Sequence, residues 1–145
     1  MIYIGADHRG FEFKEKIKTW LTENEFDYED VGAFELNLDD SFVDFAELVA
    51  EKIVNFDDRG IIICGSGVGV DVVANRHENV RSGLAIDVDQ IRSAREDDDI
   101  NILALAADHT PEVEILDIVS TFLNTDFSSE EKYHDRVSQL NTIHD

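Results

Sequence analysis

The chain has 145 residues, 43% of them hydrophobic, with 33 acidic against 12 basic side chains and a formal net charge of −21. This length suits one domain, residues 1–145, with a single core, and one proline leaves little room for a disordered linker. So negative a field repels phosphate backbones, and no basic leader or long apolar run follows Met1, so no nucleic acid, no membrane and no signal peptide are expected, and a cytoplasmic location is. One cysteine cannot form an intrachain disulfide.

Strand-like and helix-like segments alternate. "MIYIGA" reads as a first strand. "GFEFKEKIKTWLTEN" sets Phe13, Ile17, Trp20 and Leu21 at helical spacing. "FDYEDVG" is a second strand, and the polar stretch from Glu35 to Asp40 a loop. Phe42, Phe45, Ala46, Val49 and Ile53 make one apolar helix face. "GIIIC" is a third strand, apolar on both faces as a central parallel strand is. "VGVDVVANR" starts a helix, "RSGLAI" is a fourth strand, "DQIRSARED" a helix and "INILALAA" a fifth strand. "PEVEILDIVSTFLN" opens a helix with Pro111 in its first turn. A last helix runs from about Ser128 to Leu140, with Ser128 or Ser129 as its cap. The pattern predicts a three-layer α/β/α, Rossmann-like domain with an open five-stranded parallel sheet and a C-terminal helix.

In such sheets ligands bind beyond the carboxyl ends of the strands. The loops there carry "GADHRG", "CGSGVG", "AIDVD" and "AADHT". The glycines of "CGSGVG" let several N–H groups converge, which suits an anion or oxyanion. Cys64 stands just before them, in the setting of a base or nucleophile; the alternative is a packing cysteine at the end of a core strand. A dinucleotide fingerprint is disfavoured, because the spacing is G-x-G-x-G and follows the third strand rather than the first.

"IGADHRGFEFK", "IIICGSGVGVDVVANR", "NILALAAD" and "KYHDRV" occur in that order across nearly the whole chain. Together they resemble the ribose-5-phosphate isomerase B family, which also includes the galactose-6-phosphate isomerase subunits. The resemblance implies an aldose–ketose isomerase of a sugar phosphate, with no cofactor and no metal, working through a cis-enediolate. Cys64 matches the family's base, and Ser66 stands near the substrate oxygens. Gly65, Gly67, Val68 and Gly69 belong to the anion-binding loop. Asp7 matches the ligand of sugar hydroxyls, and His8 a ligand of phosphate or hydroxyl. The resemblance also implies sites shared across a homodimer, or a dimer of dimers, in which Lys132 and Arg136 reach the partner's phosphate. Their i, i+4 spacing puts both on one helix face.

Four departures from the family stand out. Its ring-opening histidine and following asparagine fall on Asp97 and Asp98, which are expected to take those catalytic and substrate-binding places. Its arginine after the fifth strand falls on Asp108, a carboxylate expected to repel phosphate, with His109 as a neighbouring substitute. Ser41, Phe42 and Val43 replace Asp-Tyr-Pro, and Lys132 replaces arginine, losing a bidentate fork. An unphosphorylated or uronate sugar as substrate, and a non-catalytic subunit of a mixed oligomer, are the alternatives. The charge alone makes one expectation testable: screening weakens self-repulsion, so the thermal midpoint should rise across a salt series at constant pH.

Overall fold

A computed structural model describes residues 1–143. Among these residues the elements, in chain order, are β1 (Ile2–Ala6), α1 (Phe11–Glu23), β2 (Tyr28–Gly32), α2 (Phe42–Glu51), β3 (Arg59–Cys64), α3 (Val68–Ala74), β4 (Ser82–Leu84), α4 (Val88–Asp98), β5 (Ile102–Ala106), α5 (Glu112–Asn124) and α6 (Glu131–Asn141). The five strands form one parallel sheet in the order β2-β1-β3-β5-β4, the expected α/β architecture.

Alternation along the central strands divides the core. Ile61 and Ile63 face one layer with Ile17 of α1, Ile91 of α4 and Ile115 of α5. Ile62 and Cys64 face the other with Val49 of α2 and Val70 of α3. The order explains this division. Connections leaving β1 and β4 run toward the β2 edge, those leaving β2 and β3 run the other way, and right-handed crossovers then place α1 and α4 opposite α2 and α3. The connections from β1 and β3 therefore diverge to opposite faces, which opens a crevice at their carboxyl ends. Ala6 pairs with Ile63 and Cys64 with Ala106, so the ends of β1, β3 and β5 lie level around it.

Some boundaries differ from the sequence reading. β4 is three residues long and α3 seven. Pro111 sits at the N-cap of α5 rather than inside its first turn. The cap position of α6 is Glu130, without a side-chain bond; Ser128 Oγ instead accepts the Glu130 N–H at 3.1 Å, so it shapes the approach to the helix rather than capping it.

The Lys14 side chain is fully buried beneath the start of α1. Its Nζ donates to both oxygens of Asp30 at 2.8 Å and to the Ala33 carbonyl at 2.5 Å. Burial by itself would push the Asp30 carboxyl up. Bonds from Lys14, Lys18 and the Gly32 N–H outweigh it and hold the group below its ordinary value of 3.8. A carboxyl depressed by folding contributes stability that is present above the unfolded value and is lost as pH falls through the folded one. Asp30→Asn strands a buried ammonium and should cost about 3–5 kcal/mol at neutral pH. Urea unfolding should show that deficit shrinking as pH falls below 3.8, where the natural side chain also loses its charge.

Candidate active site

Four segments surround the crevice: the turn after β1, the long loop after β2, the glycine loop after β3 and the turn after β5. Asp7 follows β1 directly and is buried. Its Oδ1 accepts the N–H groups of Arg9 at 3.0 Å and Gly10 at 3.2 Å, closing the turn into α1. That bonding fixes the carboxylate at the mouth of the crevice.

His8 is half-buried, and its backbone N–H and ring Nδ1 both meet Asp40 Oδ1, at 3.0 and 2.8 Å. With Nδ1 occupied, Nε2 is the nitrogen left for a ligand. The second oxygen of Asp40 is buried without a partner among the described residues. Asp7, His8 and Asp40 also offer three ligand atoms within 4.8 Å of one another. The tight His8–Asp40 contact suits an oriented imidazole, as in catalytic His–carboxylate pairs. Asp40 was not singled out in the sequence: it lies in a polar stretch, 32 residues from its partner, with no local pattern to mark it.

Cys64 is buried, 5% exposed, on the α2–α3 side of the sheet. The next residues adopt a fixed turn. Gly67 has φ +72°, and a β-carbon there would meet Leu84 Cδ1 at 2.5 Å and the Ala106 nitrogen at 3.0 Å. Only glycine therefore satisfies both the dihedral and the packing. Ser66 is exposed, and its Oγ accepts the Val68 N–H at 3.2 Å. The Phe42 ring lies against Gly69, where a β-carbon would fall 2.7 Å from Phe42 Cε2. An aromatic ring thus still covers the loop, without a phenol. Ser41 caps α2 by accepting the Val43 N–H, so its role is local.

Asp108 corrects one expectation. Its carboxylate is not unopposed: Arg9 Nη2 donates to Asp108 Oδ2, and the Asp108 N–H donates to the Gly65 carbonyl at 3.0 Å. The neighbouring His109 is exposed, and its N–H donates to the Ala106 carbonyl at 3.2 Å.

Asp7, His8, Cys64, Gly65, Ser66, Gly67, Val68 and Gly69 thus gather at one pole of the sheet. Asp97, Asp98, Lys132 and Arg136 do not. Asp97 and Asp98 end α4, which leads into the start of β5 and so lies at the amino pole. There burial, then the charge of Asp97, push the Asp98 carboxyl up. A cleft of about 480 Å³ runs beside the free edge of β4, lined by Ser82, Gly83, Gln90, Asp98 and Leu140 among others. Lys132 and Arg136 flank the Tyr133 ring, at 5.0 and 5.6 Å from its centroid, so both cations do share one exposed face of α6. No described helix is long and apolar enough to cross a membrane.

The sequence profile described as Ribose/Galactose Isomerase matches residues 2–140. The probable ribose-5-phosphate isomerase B of Mycoplasma genitalium is 35% identical over 128 residues, 87% of this chain and 84% of that protein. The ribose-5-phosphate isomerase B of Mycolicibacterium paratuberculosis is 31% identical over 140 residues, 96% of this chain and 88% of that protein. The crystal structure of the Mycoplasma genitalium enzyme with bound ribulose-5-phosphate superposes with a TM-score of 0.93 at 31% identity, covering 99% of this chain and 95% of that one. The Clostridium thermocellum ribose-5-phosphate isomerase B gives 0.93 at 33%, covering 99% and 96%. With the profile spanning nearly every element around the crevice and relatives matched along most of their length, the chain belongs to the Ribose/Galactose Isomerase family and is an isomerase.

Proposed function

We propose that this isomerase interconverts a phosphorylated aldose and its ketose, of the ribose 5-phosphate/ribulose 5-phosphate type, through a cis-enediolate with Cys64 as the carbon base. The observation that carries the reading is the convergence of Cys64, the glycine loop, Asp7 and His8 at one crevice in a chain of this family. The Cys64 thiolate takes the C2 proton; the released pair forms the C1–C2 double bond, and charge moves to the carbonyl oxygen. Return of the proton to C1, with a proton passed between the two oxygens, completes the exchange. No redox partner or metal enters this scheme. N–H groups of Gly65, Ser66, Gly67, Val68 and Gly69 are the donors for the oxygens. The Ser66 hydroxyl, now bonded to Val68 N–H, exchanges that contact for a substrate oxygen. Asp7 holds sugar hydroxyls, and His8 offers Nε2.

The remaining groups come from a second copy. One five-residue strand separates the two poles, on the order of 15 Å. A homodimer sets the amino pole of one chain against the crevice of the other. Lys132 of the partner subunit and Arg136 of the partner subunit then meet the phosphate. Asp97 of the partner subunit takes the ring-opening place. Asp98 stands beside it, its carboxyl pushed up by burial and then by the neighbouring Asp97 charge. Exposed apolar side chains beside the crevice, Phe34 (77%), Leu38 (73%), Val68 and Val72 (50% each), support coverage by a second copy.

Incubation in deuterium oxide with phosphorylated and unphosphorylated aldoses, followed by NMR, should show C2 deuteration of a sugar phosphate. Cys64→Ala should slow it by about 10² to 10⁴ without unfolding the protein. Exchange confined to unphosphorylated sugars or uronates would transfer the reading to those substrates, and an undiminished alanine variant would remove Cys64 from the mechanism.

Shared sites have their own test. Inactive Cys64→Ala chains mixed with inactive Lys132→Ala/Arg136→Ala chains should regain part of the activity through hybrid dimers. Proven subunit exchange without recovery would place each site within one chain.

A further inference from the structure

We propose that Arg9 is an anion-binding residue that sets specificity for a phosphorylated sugar, and that Asp108 positions its guanidinium; this rests on the sugar-phosphate reading above. Arg9 lies on the turn after β1, with its N–H held by Asp7 Oδ1 at 3.0 Å. Its Nη2 donates to Asp108 Oδ2. Asp108 is in turn placed by the loop itself, through its N–H to the Gly65 carbonyl at 3.0 Å. A β-carbon built on Gly65 would fall on Arg9 Cζ, Nε and Nη1. The guanidinium therefore lies directly over Gly65, next in sequence to Cys64, and the absence of a side chain there is what admits it.

The pair has the makings of a ligand site rather than a fold staple. Arg9 and Asp108 side chains are 54% and 40% exposed, and exposed pairs of this kind contribute little to folding. A guanidinium carries five N–H donors in a planar fork. Asp108 engages one edge, and the rest of the fork stays over the glycine loop, where a phosphate ester can take charge-assisted bonds. Arg9 offers its own chain's crevice an exposed cation, whereas Lys132 and Arg136 stand on α6. Asp108 orients the fork but also competes with the anion for it. An uncharged sugar meets a neutral pair; a dianion meets a positioned arginine. Position 108 carries a carboxylate where the family resemblance leads one to expect a cation, and position 9 supplies a cation beside it.

The test compares ribose 5-phosphate with ribose in the wild type and in Arg9→Ala, Arg9→Lys and Asp108→Asn, each checked for an unchanged melting midpoint. Arg9→Ala should raise KM for ribose 5-phosphate roughly 10- to 100-fold, the range of a lost bond to a charged group, with kcat changed much less. Kinetics on ribose should not move, and Arg9→Lys should recover part of the loss. Asp108→Asn, which keeps an acceptor but removes the competing charge, should lower KM for the phosphate ester severalfold. A binding readout stands beside turnover: inorganic phosphate should slow iodoacetamide alkylation of Cys64 in the wild type and lose that effect in Arg9→Ala. Unchanged KM and unchanged protection in Arg9→Ala, or an equal rise in KM for both sugars, overturns the assignment. If the wild type turns over no sugar phosphate, the functional reading falls, and the protection assay alone then decides the role of Arg9.

Discussion

The buried ammonium of Lys14 is the contact on which the crevice depends. Removing a charge from water costs several kcal/mol unless strong bonds replace the lost hydration. Lys14 finds them only where β2 ends, at both oxygens of Asp30 and at the Ala33 carbonyl, with the rings of Phe11 and Phe34 at 5.3 and 5.9 Å. Asp30 also accepts the Gly32 N–H, and Ala33 N–H donates to the Ala6 carbonyl. Helix α1, the end of β2 and the end of β1 are thereby tied at one point. The loop that leaves this point reaches Asp40, which orients His8, and Phe42, which covers Gly69. An apolar core alone would hold the layers together, but it would not direct this loop back over the crevice.

A second polar network organises the other pole. Arg95 donates to Asp99 Oδ1 at 2.8 Å and to the carbonyls of Ile100 and Thr125, while Arg81 reaches Asp99 Oδ2 and its carbonyl. Asp99 adopts φ +48° at the end of α4, a left-handed cap usually taken by glycine or asparagine. Its satisfied carboxylate makes that conformation sustainable. The network holds the turn carrying Asp97 and Asp98 against the segment that leads to α6. Each pole is thus built around buried charge, and each presents different chemistry: glycine N–H groups and a thiol at one, carboxylates and exposed cations at the other.

Much of this was legible in the sequence, for reasons that can be named. "GIIIC" is apolar on both faces because β3 lies between β1 and β5 with helices on each side. Alternation of strand and helix implied a parallel sheet, and a parallel sheet puts its functional loops at strand ends, where Asp7, His8 and Cys64 lie. Strand order was not legible, since nothing local states that β5 intervenes between β3 and β4. Nor were the partners of the site residues. Asp40 meets His8 across 32 positions and Arg9 meets Asp108 across 99. Single-residue comparison with the family marked Asp108 as a loss; only the fold shows the opposite charge placed beside it.

That pair has a consequence for how such sites diverge. A half-exposed ion pair contributes only about 0–1 kcal/mol, so folding would tolerate loss of either partner. What couples the two positions is the sign of the charge held above the glycine loop. If Arg9 holds the anion, selection on that charge would act on the pair jointly, although the two residues lie 99 positions apart. The cation could then sit on either turn, and covariation between the turns after β1 and β5 would record such an exchange.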